Sequence, residues 1–350
     1  MMAVRLVLIR FMLIVAASTL AIFMSEYSVR LAVPKYDPAG HIAFFVDPAT
    51  GVLLGKPNSK TRQIKNSGDY DVEVIFNRHG LRDKRDIANG RVEDLYVVGD
   101  SFAFGWGVKE TERFSSVLEK LTGREVYNIA TTANLDGYER LLTYSAEQGA
   151  EIRDVVMAIN MIDDVRDYDA ILKTKKIARQ IPQSTPEPSV AISLQAMKQF
   201  LLTNSALYFL ATSAIGSIDV VRRVLVRLGF VKTMNDVNGG RPRDAEIRTT
   251  ANRILALSQK YNLTVLLIPS RGLWVGGHEA AAAAAAAHAT FSDELHRLGI
   301  TVIDMRPVME ATGNPMAFHF QHDGHWRPRG HSLAAEVIAD KLTPRQRLPE

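Results

Sequence analysis

The stretch Leu95-Tyr-Val-Val-Gly-Asp-Ser-Phe-Ala-Phe-Gly-Trp-Gly-Val108 decides the fold prediction. It contains the end of a short predicted strand, Val92–Val98, of the kind that is buried on both faces of a parallel sheet. Sheets of that kind bind their ligands at the carboxyl ends of the strands. Ser101 follows directly after such an end, so we predict that its hydroxyl lies at the mouth of a site. The alternative role for this serine is an N-cap for the next helix.

Short predicted strands alternate with helical segments along the rest of the chain. The other strands are expected at residues 71–77, 125–128, 155–159, 263–268 and 301–304. Helices are expected at residues 111–121, 137–148, 245–261 and 331–342, and a further helix begins with the eight alanines at 280–287. This alternation is typical of a parallel sheet that is covered by helices on both faces. We therefore predict an α/β fold with a doubly wound, three-layer parallel sheet.

Residues 171–243 interrupt the alternation. They include the proline-rich stretch 181–189 and a long apolar helical stretch at 205–231. We predict a helical insertion that packs on the sheet domain. Its apolar side chains would also suit a bilayer or a partner helix, so a membrane-protein partner that binds through residues 201–231 stays open.

The N-terminus predicts a membrane anchor. Val4–Met24 is apolar except for Arg5 and Arg10 near its start, and about 20 such residues span a bilayer. Because both arginines precede the apolar core, we expect a cytoplasmic N-terminus and a main domain on the opposite side of the membrane. The small residues of Ala16–Ala21 leave a cleaved signal peptide as the alternative.

The predicted organisation is an anchor at 1–24, a tether or extended arm at 25–70, and an α/β domain at 71–345. The chain has 42 basic and 38 acidic residues, an excess that is too small to indicate a nucleic-acid partner. It has no cysteine, which excludes disulfides, cysteine nucleophiles and cysteine metal ligands. No cofactor is implied.

A histidine-rich segment near the C-terminus, Phe318–His331, supplies the partners that a nucleophilic serine needs. A serine becomes a nucleophile when a base removes its proton, and histidine is the usual base, oriented by a carboxylate. Asp323 and His325 are two residues apart, so one loop can hold both beside Ser101. His331 is expected to begin or pack the closing helix.

The same segment raises a metal site as an alternative. His319, His322 and His325 are spaced by three residues, which would suit one face of a helix. Gly324 and Pro328 indicate a loop instead, so no metal site is predicted.

Several blocks in series resemble the SGNH (GDSL-type) hydrolases, in particular their membrane-anchored bacterial branch related to polysaccharide O-acyl-modifying enzymes. The blocks are Asn77–Arg82, Val98–Val108 and Asp323–His331, within a resemblance that spans most of Asp71–Leu342. The resemblance implies that Ser101 is the nucleophile, that His325 is its base, and that Asp323 orients the base. It also implies a domain on the periplasmic side of the inner membrane and a flavodoxin-like fold.

Two blocks depart from the family pattern. The family places a glycine whose N–H joins that of the nucleophile in the oxyanion hole, whereas Ala130 stands at that point here. The third block normally supplies an asparagine to the oxyanion, but the strand register brings Asp163 there. A carboxylate would repel a developing oxyanion, and the loss of one donor reduces the rate by roughly 10²–10³. Asn160 is the substitute donor if the loop runs differently.

Three further residues are weaker candidates for substrate binding. Arg82 would bind a carboxylate or phosphate, although an ion pair that ties down its loop is the plainer interpretation. Trp106 and Trp326 flank the expected cleft, where they would stack on a sugar ring or simply pack.

Two functions from different classes remain. The first is a membrane-anchored serine esterase or O-acyl transferase that acts on an acylated glycan or a small ester. The second is a catalytically degenerate structural subunit of a membrane complex that keeps the hydrolase fold. Asp163 and the apolar insertion favour the second, and the complete set of serine, histidine and aspartate favours the first.

Overall fold

The computed structural model describes residues 2–168, 194–216, 218–228 and 242–342. These residues form two compact units. We call residues 42–63, 69–168 and 242–342 the sheet unit, and residues 2–41, 64–68, 194–216 and 218–228 the helical unit. All the residues predicted to take part in chemistry lie in the sheet unit.

Each strand and helix predicted between residues 71 and 168 and between 245 and 342 is present in the predicted order, and further short elements accompany them. The strands are β1 Phe44–Val46, β2 Leu53–Gly55, β3 Ser59–Ile64, β4 Asp71–Phe76, β5 Leu95–Val98, β6 Val126–Asn128, β7 Asp154–Asn160, β8 Asn262–Ile268 and β9 Thr301–Asp304. The α-helices are α1 Met2–Ala32, α2 Ser101–Phe104, α3 Phe114–Thr122, α4 Leu135–Glu147, α5 Leu194–Asn204, α6 Ala206–Gly216, α7 Asp219–Arg227, α8 Asp244–Ser258, α9 His278–Arg297, α10 Met305–Glu310 and α11 Pro328–Leu342.

Strands β5 to β9 form a parallel sheet in the order β6-β5-β7-β8-β9. The chain leaves β5 in one direction for β6 and in the other for β7, β8 and β9. The strand order therefore reverses at β5, and ligands of open α/β sheets bind at such a switch point. Ser101 comes directly after this strand.

Side chains of the sheet alternate between two apolar cores, one on each face. On β5, Tyr96 and Val98 enter one core, and Leu95 and Val97 enter the other. Helices α4, α8 and α9 contribute apolar side chains to the first core, and α3, α10 and α11 to the second. A strand buried on both faces needs no polar alternation. The predicted α/β fold with a parallel sheet between helices is confirmed.

The helical unit is built around α1, which is exposed along its length. The most apolar 18-residue window within Val4–Ala32 has a mean hydropathy of 2.4. The helix is therefore long and apolar enough to cross a membrane, although a signal sequence has the same properties. Near its C-terminal end, the Glu26 carboxylate accepts hydrogen bonds from the backbone N–H groups of Ala206 and Leu207, at 2.9 and 3.0 Å. These N–H groups lie at the start of α6, where a helix has no acceptors of its own.

Two elements of the structure cross the predicted domain boundaries. Helix α1 continues beyond the predicted anchor at 1–24 to Ala32, and Glu26 and Arg30 form an i,i+4 ion pair at 2.8 Å that favours a helix there. The predicted tether at 25–70 contains β1 to β3, and its buried Val52 and Leu54 join a sheet core. The sheet unit therefore begins before residue 71.

The insertion predicted at 171–243 is described only in part. Residues 169–193, 217 and 229–241, including the proline-rich stretch, lie outside the described residues. Helices α5 to α7, which fall within the predicted insertion, belong to the helical unit.

His331 links two helices on one face of the sheet. It is fully buried in α11, and its Nδ1 accepts a hydrogen bond from the backbone N–H of Phe114 in α3, at 3.3 Å. Burial lowers the pKa of this imidazole to about 3. As predicted, the residue packs the closing helix.

We expect the free energy of unfolding to depend less on pH in His331→Gln than in the wild type. An unfolded histidine binds a proton below about pH 6.5, whereas folded His331 does not, so acid lowers the free energy of unfolding by up to ~1.4 kcal/mol per pH unit. In urea unfolding experiments, the free energy of unfolding should decrease less between pH 7 and pH 5 for the variant than for the wild type. The exposed His278 offers a control, since His278→Gln should keep the wild-type loss. Equal losses in the wild type and His331→Gln would contradict this account.

Candidate active site

The turn after β5 presents Ser101 at the first position of α2. Asp100 caps this helix, and its carboxylate accepts a hydrogen bond from the N–H of Phe102 at 2.8 Å. Gly99 is packed so closely that a Cβ would lie 2.7 Å from the Cβ of Ala103 and 2.8 Å from that of Ala158 on β7. The turn therefore has little freedom, and the serine hydroxyl is held in place.

The structure brings the three predicted catalytic side chains together. His325 Nε2 lies 2.8 Å from Ser101 Oγ, and His325 Nδ1 makes a short hydrogen bond to Asp323 Oδ1. The same carboxylate oxygen accepts the backbone N–H of His325 at 3.1 Å. The serine is half-buried, the His325 side chain is 22% exposed, and Asp323 is buried. This is the geometry that a serine nucleophile with an oriented base requires.

A tyrosine and a tryptophan extend this chain of hydrogen bonds. The Tyr70 hydroxyl donates to Asp323 Oδ2 at 3.2 Å and accepts from Trp106 Nε1 at 2.8 Å. The Trp106 ring also lies against the His325 imidazole, with 5.7 Å between ring centroids. Burial and the negative charge of Asp323 raise the pKa of Tyr70, so it remains a donor.

A cleft of about 510 Å³ opens beside Ser101. The lining residues come from the β1–β2 region and from loops after the strands, and they include Thr132, Asn134, Arg140, Asp163 and Arg166. This volume lies within the usual range for small-molecule sites. In the described part of the chain, no group of three His, Asp or Glu side chains is arranged to hold a metal ion.

Two of the oxyanion donors that the sequence suggested form hydrogen bonds within the protein. Ala130 is fully buried, and its N–H donates to Asn128 Oδ1 at 3.0 Å. The Asn160 amide donates to Asp100 Oδ2 at 2.9 Å and approaches Asp163 Oδ2 at 3.5 Å. The Ala130 N–H and the Asn160 amide therefore already donate hydrogen bonds to acceptors within the protein. The Ser101 N–H lies at the first position of a helix, where N–H groups lack intrahelical acceptors.

Asp163 lines the cleft, as the strand register predicted, with its side chain 57% exposed. Its charge is partly offset by Arg166, whose guanidinium lies 3.5 Å from Asp163 Oδ1. A carboxylate at this position is therefore neither buried nor isolated, and its repulsion of an oxyanion is weakened by solvent and by the neighbouring cation.

Buried carboxyl groups surround the Asp100 turn. Asp164 accepts the Tyr138 hydroxyl at 2.9 Å and the backbone N–H of Asn160 at 2.8 Å. Burial raises the pKa of Asp100 to about 6 and that of Asp164 well above its usual range. Each group is hydrogen-bonded, which limits the penalty of removing it from water.

Two of the weaker candidates for substrate contact are buried. Arg82 is 1% exposed, and its guanidinium donates to the carbonyls of Phe104, Gly105 and Val108 at 3.1, 2.6 and 2.7 Å. It secures the loop that follows the nucleophile, through carbonyls rather than through an ion pair. Trp326 is fully buried and packs on Phe102 and His331, so it has no face for a sugar.

Sequence reasoning missed two residues near Asp323. Tyr70 precedes the first block of the family pattern, and no local motif marks it. Arg271 is buried after β8, and a Cβ on Gly324 would lie 2.8 Å from its Nη2. Its position directly after a predicted strand, in Pro269-Ser-Arg271, was the available signal.

We expect Arg82→Met to destabilise the fold by about 3 kcal/mol, because three carbonyls lose a charged donor. Arg140→Met makes the same change at a side chain that is 44% exposed, and its effect should stay below about 0.5 kcal/mol. Urea unfolding of both variants measures the difference. An Arg82→Met protein as stable as Arg140→Met would show that the three carbonyl contacts do not hold the loop.

The C-terminal part of the chain matches a known family. Residues 236–350, which include Asp323 and His325, match the family described as the SGNH hydrolase-like domain of acetyltransferase AlgX. No curated protein matches the chain.

Several solved structures are also similar to this chain. A G-D-S-L family lipolytic protein from Veillonella parvula is 10% identical, with a TM-score of 0.40 over 73% of this chain and 99% of its own. A lipase/acylhydrolase from Enterococcus faecalis is 11% identical, with a TM-score of 0.38 over 72% and 99% of the two chains. An extracellular lipase from Streptomyces rimosus is 13% identical, with a TM-score of 0.34 over 71% and 98%.

The matched segment contains the Asp323–His331 block and the last two strands of the parallel sheet. Residues 236–350 are therefore similar to an SGNH hydrolase-like acetyltransferase domain.

Proposed function

We propose that the protein is a membrane-anchored O-acyl transferase or esterase that works through Ser101, His325 and Asp323. The observation that carries the proposal is the continuous hydrogen bonding from Ser101 Oγ to His325 Nε2, at 2.8 Å, and from His325 Nδ1 to Asp323. A serine in this arrangement loses its proton to the imidazole as it attacks a carbonyl carbon.

In the first half of the reaction, Ser101 Oγ forms a bond to the ester carbonyl carbon, and its proton passes to His325 Nε2. The tetrahedral intermediate then expels the alcohol, which takes that proton from His325, and an acyl-serine remains. In the second half, water or a sugar hydroxyl gives its proton to His325 and attacks the acyl-serine carbonyl. The tetrahedral intermediate then expels Ser101 Oγ, which takes the proton back from His325, and the free acid or the acylated sugar leaves. Asp323 keeps the imidazole in one orientation and stabilises its charged form.

The Ser101 N–H, at the start of α2, donates a hydrogen bond to the developing oxyanion. Asn160 and Ala130 donate elsewhere, so this site offers fewer donors than the family pattern. Each missing donor reduces the rate by roughly 10²–10³. We therefore expect slow turnover with simple esters.

The substrate class is an acylated glycan or a small ester. The matched family is described as an acetyltransferase domain, which favours acetyl as the acyl group. The cleft of about 510 Å³ would hold a sugar residue with its acyl group.

The location that fits this activity is the periplasmic face of the inner membrane. Helix α1 supports a single span with the N-terminus in the cytoplasm, because Arg5 and Arg10 precede its apolar core. Cleavage of the segment as a signal sequence would release the same domain into the same compartment.

A second candidate function is a structural subunit of a membrane complex. Ile218, Val220, Val224 and Leu228 are more than half exposed in and beside α7, which favours a membrane-protein partner for the predicted surface 201–231. Exposed apolar patches of this kind mark interaction sites. This role requires no activated serine. The two candidate functions therefore differ in one measurable property, the reactivity of the Ser101 hydroxyl.

We expect a fluorophosphonate probe to label the detergent-solubilised wild type and not Ser101→Ala. Asp323→Asn should label slower by about three orders of magnitude, because the imidazole loses its orienting carboxylate. Ser258→Ala removes a hydroxyl that bonds only to the Leu255 carbonyl within α8, and it should label like the wild type. A folded wild type that takes up no probe would refute the enzyme and leave the structural subunit.

A further inference from the structure

We propose that Tyr70 is a positioning residue, whose hydroxyl holds the Asp323 carboxylate in the orientation that His325 requires. The Tyr70 O–H donates to Asp323 Oδ2 at 3.2 Å, while His325 uses the other carboxylate oxygen. This inference rests on the proposed function, since it assigns a role within the same catalytic set.

The hydroxyl of Tyr70 has one direction in which to donate. Its oxygen accepts the indole N–H of Trp106 at 2.8 Å, so the remaining O–H points to Asp323. Tyr70 is 7% exposed, and its ring contacts Phe320 with 5.2 Å between centroids. A Cβ on Gly107 would lie 2.6 Å from Tyr70 Cδ1. Tight packing therefore fixes the ring, and the ring fixes the hydroxyl.

The carboxylate of Asp323 needs such a contact because its terminal torsion has broad energy wells. Oδ1 is held by two groups of His325, its backbone N–H and its Nδ1. A donor at Oδ2 sets the plane of the carboxylate, and therefore the line along which Oδ1 meets the imidazole. It also satisfies a buried charged oxygen, which is costly to leave without a donor.

Loss of the hydroxyl should change the proton affinity of the Asp323–His325 pair. With one donor fewer, the negative charge of the pair is less stabilised, so the pair takes up its proton at a higher pH. The acid limb of the pH–rate profile would then move to higher pH. The other charged or titratable groups that act on the pair or on Tyr70 stay in place: Arg271, Asp69, Asp100, His319 and His331.

The test measures the second-order rate constant of fluorophosphonate labelling from about pH 5 to about pH 9. In Tyr70→Phe we expect a plateau about tenfold lower and an acid limb shifted upward by about one pH unit. Trp106→Phe keeps a ring beside His325 but removes the N–H to Tyr70, and it should shift the limb in the same direction by less. Tyr144→Phe is the matched control, because its hydroxyl donates to the His79 carbonyl; its profile should equal that of the wild type.

The outcomes separate the two proposals. A wild type that labels, with an unshifted acid limb in Tyr70→Phe, would overturn the positioning role and leave the serine mechanism intact. A wild type that does not label refutes the proposed function and this role with it. If Tyr70→Phe fails to fold, as judged by near-UV circular dichroism, Trp106→Phe decides, and an unshifted limb there overturns the proposal.

Discussion

The close packing of the β5–α2 turn is the constraint on which the rest of the site depends. Gly99 lies against Ala158 on the neighbouring strand and against Ala103 in α2, with no room for a side chain. Interiors of this density do not deform without a penalty. The turn therefore fixes the Ser101 hydroxyl relative to the sheet, and the 2.8 Å contact with His325 can be maintained across a sequence separation of 224 residues.

The loops around the turn are tied to it by polar contacts that apolar packing could not supply. Arg82 joins three carbonyls of the segment after α2, and the Asn160 amide joins Asp100 to the end of β7. Burial works against the charged forms here, lowering the pKa of Arg82 to about 9 and raising that of Asp100 to about 6. The fold retains these groups because each has partners that position a loop, at some expense of stability.

Much of the fold followed from local patterns in the sequence. Buried runs such as β7 and β8, and helices with an apolar face such as α3, occupy nearly the predicted positions because their periodicity is local. The proximity of Ser101, Asp323 and His325 was also predictable from residue types and the strand end. Residues 25–70 were not assigned correctly, because β3 pairs with β4 and the Val52 side chain enters a core formed by later segments. Partners that lie far along the chain leave no local pattern.

The details of the site were less accessible for the same reason. Hydrogen bonds formed only in the folded chain decide that Ala130 and Asn160 donate elsewhere and that Arg82 faces carbonyls rather than the cleft. Tyr70 reaches Asp323 across 253 residues. A motif identifies the reacting groups, whereas tertiary contacts determine which donors remain available to them.

The proposed mechanism requires an acyl group on Ser101, and this intermediate can be trapped. The wild-type protein would be mixed with p-nitrophenyl acetate, quenched in acid and digested for peptide mass spectrometry. We expect one acetyl group on the peptide that contains Ser101, with the fragment ions placing it on that residue. An unmodified Ser101 peptide from folded protein, with or without acetylation elsewhere, would contradict the proposed mechanism.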